Sequence, residues 1–140
     1  MNWQCSADRT RSIRSSMRTD DGEPLIGLVG VCAAGKSTIT AHLRALGLRA
    51  KPIAQEHSYV PDMWKRLTNP DVLVFLDASY PTTIARRNLR WTEKEYQEQQ
   101  HRLRHARQYA DLYLFTDLLS PQQVVEQILQ FMANCLPNPD

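Results

Sequence analysis

Apolar residues in this chain fall into short unbroken runs, separated by stretches in which they recur every three or four positions. The first run, Leu25-Ile26-Gly27-Leu28-Val29, reads as a buried strand. Ile39, Leu43 and Leu46 then recur at i, i+4, i+7, the face of a helix that Gly47 ends. Residues 48–54 predict a second strand, which Pro52 confines to a sheet edge because proline cannot donate to a ladder. Pro61 suits a first helical turn, Asp62 its positive end, and Lys65 and Arg66 its negative end, so a short helix through Leu67 is expected. After the turn at Asn69-Pro70 comes Val72-Leu73-Val74-Phe75-Leu76-Asp77. Unalternated apolar residues there mean burial on both faces, as in a parallel sheet covered by helices.

The second half continues the alternation. Pro81 opens a helix with Ser79 or Tyr80 at its cap, and Thr92 with Glu95 forms a capping box, so the helix breaks near Trp91 and restarts. The restarted piece, to about Ala110, carries a sparse apolar stripe (Tyr96, Leu103, Ala106) and is expected to be an exposed arm. Leu112-Tyr113-Leu114-Phe115 is a fourth strand. Ser120-Pro121-Gln122-Gln123 caps a last helix whose Val124, Val125, Ile128, Leu129 and Met132 form a wide apolar face, stopped by Pro137 and Pro139. Strands alternating with helices predict an α/β, three-layer domain with a parallel sheet of about four strands, and ligands at the carboxyl ends of those strands.

Composition sets the limits. A chain of 140 residues accommodates one domain with a real core. Residues 1–23 are rich in Ser, Arg, Thr and Asp without apolar period and read as a disordered extension, with Met17 an alternative start; 24–136 form the domain and 137–140 a tail. Within the extension Asp8, Asp20, Asp21 and Glu23 offset the arginines, which argues against a transit peptide. The formal charge of +2 gives no global case for nucleic-acid binding, and no apolar run reaches membrane-spanning length. Three cysteines, Cys5, Cys32 and Cys135, make no C-x-x-C pair; a reducing cytoplasmic setting is expected and structural zinc is not.

The first candidate chemistry is Gly30-Val31-Cys32-Ala33-Ala34-Gly35-Lys36-Ser37, a complete G-x-x-x-x-G-K-[ST] phosphate-binding loop between a strand and a helix. A polyphosphate needs many donors at close range. Gly30 and Gly35 let the loop, Cys32, Ala33 and Ala34 included, turn its main-chain N–H groups inward, and the following helix adds free N–H groups and the positive end of its dipole. Lys36 would supply a point charge to the β- and γ-phosphates of ATP, Ser37 a hydroxyl to Mg²⁺, and Thr38 a contact to the α-phosphate. Cys32 as a phosphatase nucleophile is dismissed, because Thr38 stands where that loop needs Arg.

Three carboxylates close the other strands. Glu56 is read as a base that takes a proton from an acceptor hydroxyl, as a second Mg²⁺ contact, or as an ordinary loop carboxylate. Asp77 either holds Mg²⁺ through water or caps the loop before Pro81. Asp117 is expected to shape the turn before the last helix. Arg86, Arg87 and Arg90 sit near the hinge at Trp91, either as a lid that closes positive charge over a moving phosphoryl group or as a solvated basic face. His101 and His105, at i, i+4 on a polar helix without an evident third ligand, read as a solvated pair.

Through Gly30 to Ser37, Pro70 to Asp77, the three arginines and Ala110 to Asp117, the chain resembles the P-loop small-molecule kinases of the nucleoside and nucleotide kinase-like superfamily, over roughly residues 24–134. That resemblance implies ATP with Mg²⁺ as donor, a lid served by the arginines, and Glu56 as base. It also implies a sheet one strand short of the family's, in the order second, first, third, fourth. The segment 55–70 is short for the family's acceptor-binding helices, and an inserted lid has hardly any room. A compact nucleotide-binding module that senses or regulates is the competing expectation; a kinase would show an acceptor pocket bounded by Glu56, His57, Tyr59 and Trp64. Missing N-K-x-D and D-x-x-G segments argue against a signalling GTPase, as does the missing L-S-G-G-Q against a transport ATPase.

Overall fold

A computed structural model describes residues 23–87 and 90–135, the last without its side chain. Outside the described residues lie the expected extension, apart from Glu23, and the expected 137–140 tail. Four parallel strands, β1 (Ile26–Gly30), β2 (Ala50–Pro52), β3 (Val72–Asp77) and β4 (Leu112–Phe115), form one sheet in the order β2-β1-β3-β4. That is the expected order, with Pro52 on the edge strand. Helices flank the sheet: α1 (Lys36–Ala45), α2 (Met63–Leu67), α3 (Tyr80–Arg87), α4 (Glu93–Arg102), α5 (Arg104–Tyr109) and α6 (Pro121–Cys135).

Every residue of β1 and β3 is buried, as their unbroken apolar runs require of central strands. Register is pinned at the amino ends by one repeated device. Asp71 accepts a hydrogen bond from the Leu25 N–H at 2.7 Å while its own N–H donates to the Leu25 carbonyl at 2.9 Å. One strand further, Asp111 treats Leu73 in the same way, at 2.7 and 2.8 Å. Each of these aspartates starts a strand and satisfies main-chain groups of its neighbour, so the sheet's amino edge carries no bare N–H there.

Local capping follows the sequence closely. Thr92 accepts from the Glu95 N–H at 3.1 Å, opening α4, and Ser120 and Gln123 bond each other's main chain reciprocally at 3.2 and 2.8 Å, opening α6. α6 lies against α1, and α5 against β3. The expected exposed arm is corrected by this packing. Leu103 and Ala106 are fully buried and Gln99 nearly so, because α4 breaks at Leu103 and α5 turns back onto the sheet. The sparse stripe is a docking seam.

Candidate functional site

The carboxyl ends of β1 and β2 hold the glycine loop and the turn that faces it. Gly30 admits no other residue, since a Cβ there would lie 2.0 Å from the Leu76 carbonyl oxygen of β3. Gly35 precedes α1 with φ of 109°, a conformation side chains resist. Between them Ala33 takes φ of 65°, which costs a residue with a Cβ about 1 kcal/mol or more. Strain of this kind persists where the surroundings fix it. Here Arg86 does so, donating to the Ala33 carbonyl at 3.2 Å.

Lys36 folds back along the loop. Its Nζ donates to the Gly30 carbonyl at 2.5 Å and meets Glu56 Oε2 at 2.6 Å, with the Val31 carbonyl at 3.4 Å. Glu56 sits in a 3₁₀ turn, Gln55–His57, just past β2, and its side chain is only 5 % exposed. One oxygen is paired with Lys36, whereas Oε1 is buried without any hydrogen-bond partner among the described residues. Leaving a carboxylate oxygen bare costs on the order of 1–3 kcal/mol, so the site holds unspent acceptor capacity. Ser37 and Thr38 are exposed at the start of α1, whose first-turn N–H groups meet no capping side chain.

A second anchor comes from the β4 side. Arg86, besides Ala33, donates to the Thr116 hydroxyl at 2.9 Å and to the Thr116 carbonyl at 2.5 Å. With Thr38, Thr116, Leu119 and Pro121 it lines a cavity of about 180 Å³ that adjoins Gly35. All three candidate arginines are exposed as whole residues, and it is the Arg86 guanidinium that engages the loop.

Asp77 occupies a different environment from the one a metal-bound water needs. Its Oδ1 accepts from the Ala78 N–H and from Gln100 Nε2, both at 3.0 Å, and its Oδ2 from Arg107 at 3.2 Å and from the Tyr113 hydroxyl. Both oxygens are committed to protein donors. Asp117 also reaches across loops, accepting from the Ser79 N–H at 2.9 Å and the Ser79 hydroxyl at 2.6 Å. Burial works against its charge, but the Ser79 bonds prevail and hold its carboxyl below the ordinary range.

Two of the residues expected to bound an acceptor pocket border different cavities. Tyr59 lines a cavity of about 540 Å³ with Lys94, His101, Arg102 and Arg104, while Trp64 borders a separate hollow of about 280 Å³ beside His105 and Tyr109. His105 departs from the solvated pair: its Nδ1 accepts from Trp64 Nε1 at 3.0 Å. His101 is exposed.

Sequence reasoning missed three glutamines. Gln99 grips the loop at Cys32, its Oε1 accepting from the Cys32 N–H at 3.0 Å and its Nε2 donating to Sγ at 3.2 Å. Gln55 ties the 3₁₀ turn to Trp64 and Val60, and Gln100 belongs to Asp77. A signal existed for one of them: Gln99 stands at i, i+4, i+7 with Leu103 and Ala106, on the buried face of that segment. The amide of Cys32, expected to turn toward phosphate, is taken up by Gln99.

No family model matches the chain, and no curated protein matches it.

Proposed function

We propose that the chain binds ATP with Mg²⁺ at the glycine loop and acts as a small-molecule kinase, moving the γ-phosphoryl group to a hydroxyl or phosphate acceptor. The observation that carries this reading is Lys36 held at the mouth of the loop, between the Gly30 carbonyl and the Glu56 carboxylate. A lysine there is pre-set to exchange a carbonyl and a carboxylate for phosphate oxygens, next to first-turn amides that no side chain caps. The cavity beside Gly35, with the Arg86 guanidinium on one wall and Leu119 and Pro121 on another, suits a flat base continuing from the phosphates.

The residues present fit a hard cation better at Glu56 than at Asp77. Ser37 would offer its hydroxyl and Glu56 its unpartnered oxygen, while both oxygens of Asp77 are occupied. Mg²⁺, when bound with the nucleotide, neutralises charge on the β- and γ-phosphates. Glu56 also remains the group able to accept a proton from an acceptor hydroxyl, once Lys36 turns from it to the phosphates.

One observation favours the competing reading of a sensing module. Between β2 and β3 the chain forms only the 3₁₀ turn and the five-residue α2, which leaves little to grip an acceptor. Calorimetric titration of MgATP into the full chain, followed by a screen of acceptors with γ-labelled ATP, separates the cases. Binding with transfer supports the kinase; binding without transfer to any acceptor supports the sensor; absence of binding overturns both.

A further inference from the structure

Three ligand types converge where the glycine loop faces the 3₁₀ turn. Cys32 Sγ lies 3.9 Å from His57 Nε2, and His57 Nε2 lies 3.8 Å from Glu56 Oε2. One donor atom from each of Cys32, Glu56 and His57 falls within 4.8 Å of the others. We propose that these three side chains form a binding site for a thiophilic divalent cation of the zinc class.

The distances are close to what such an ion demands. Zinc holds thiolate sulfur at about 2.3 Å and imidazole nitrogen at about 2.0 Å, so in a tetrahedral site the two donors stand roughly 3.6 Å apart. Drawing in a sulfur and a nitrogen now 3.9 Å apart takes only a small rotation, and the His57 side chain, 60 % exposed, is free to make it. Thiolate, imidazole and carboxylate together select a borderline-soft ion over magnesium.

A second observation points to the same place. Glu56 is buried, yet its Oε1 has no partner among the described residues. Oε2, the oxygen 3.8 Å from His57, stays with Lys36 at 2.6 Å, so the ion would take the bare Oε1 and relieve the penalty of burying it, in place of Mg²⁺ rather than together with it. Gln99 already plays the supporting part that metal ligands usually receive, donating its Nε2 to Cys32 Sγ at 3.2 Å. Three protein ligands leave a fourth position open to water or to another ligand. Cys32 and Glu56 come from segments far apart in the chain, so spacing along the sequence could not display the set. The ion would also cross-link the loop to the turn that holds Lys36's carboxylate partner.

Cobalt titration of the full chain, in a background with Cys5 and Cys135 changed to serine, tests the site directly. The expected result is one equivalent of Co²⁺ bound with a near-ultraviolet thiolate-to-cobalt charge-transfer band, displaced by Zn²⁺. Cys32→Ser should abolish the band, and His57→Ala should weaken binding at least about tenfold. His57 is exposed, so its variant folds whatever becomes of the others. A band that persists in Cys32→Ser, the lack of any thiolate band, or unchanged affinity in His57→Ala would each overturn the assignment. Neither ligand set nor probe involves a phosphate, so failure here would leave the nucleotide reading standing.

Discussion

Asp77 ends one strand of the sheet and Glu56 follows another, both are buried, and their surroundings are opposite. Asp77 receives Ala78, Gln100, Arg107 and Tyr113, with the Arg107 guanidinium also lying 4.7 Å over the Phe75 ring. Glu56 holds one lysine and keeps one oxygen bare. A carboxylate whose acceptor capacity is filled by its own chain serves the fold, because anything new must first displace a partner. One left half-satisfied beside a single lysine is the kind a ligand completes. Position at a strand end does not separate the two; the partners do.

The sharpest way to break that contrast is to neutralise each carboxylate in turn. If Glu56 is the base, Glu56→Gln should lower phosphoryl transfer by about 10²–10⁴-fold, the usual contribution of general-base catalysis, with ATP affinity nearly kept. Single-turnover rates with labelled ATP measure it. Equal losses in Glu56→Gln and Asp77→Asn would erase the distinction.

Lys36→Ala comes next. The lysine makes charge-assisted bonds that are worth about 1.5–3 kcal/mol each, so ATP affinity should fall roughly 10- to 100-fold by calorimetry. The same change strands Glu56 as a buried, unpaired charge, which is costly to stability. Adding Glu56→Gln to Lys36→Ala should therefore raise the unfolding midpoint above that of Lys36→Ala alone. A double variant no more stable than the single one would mean that the pair matters little to the fold.

Asp77→Asn should do the reverse. Losing the charge that Arg107 and Tyr113 face should cost about 1–3 kcal/mol in denaturant unfolding, while MgATP binding stays within about twofold of the parent. A clear loss of ATP affinity without a loss of stability would return Asp77 to the metal site.

Much of this architecture was open to reading from the residues. The unbroken runs 72–77 and 112–115 are strands at those positions, and the caps at Thr92 and Ser120 form as their sequences specify. These signals are local, set by a few neighbouring residues, and survive folding unchanged. What stayed hidden depends on contacts between distant segments. Nothing near Asp77 in sequence announces Gln100, Arg107 and Tyr113, and nothing near Cys32 announces Gln99. The sparse stripe of α4 and α5 looked too thin to bury because its seam includes a glutamine, whose amide is satisfied only once the glycine loop lies against it. Arg86, Arg87 and Arg90 are equivalent as a sequence pattern, and only the turn of α3 selects Arg86 for Ala33 and Thr116.

The smallest effect tests how tightly the Asp77 cluster is closed. Burial, together with the bond to the Asp77 carboxylate and its negative charge, pushes the Tyr113 hydroxyl up from 10.0 to about 12. Below pH 10 the phenol keeps its proton folded or unfolded, so the group contributes its full share of stability. Between about pH 10 and about 12 the unfolded chain releases that proton while the folded chain retains it, so stability drains away across this window as pH rises. Tyr113→Phe removes the ionisation and with it that part of the slope. Tyr96, also raised by burial, titrates in both proteins and cancels in the difference. Unfolding free energies of the two proteins, measured from pH 9 to about 12, should therefore converge as the solution becomes more alkaline. Parallel curves would mean that the Tyr113 hydroxyl is neither desolvated nor held by Asp77, and the claim that this carboxylate is spent on the fold would lose one of its four donors.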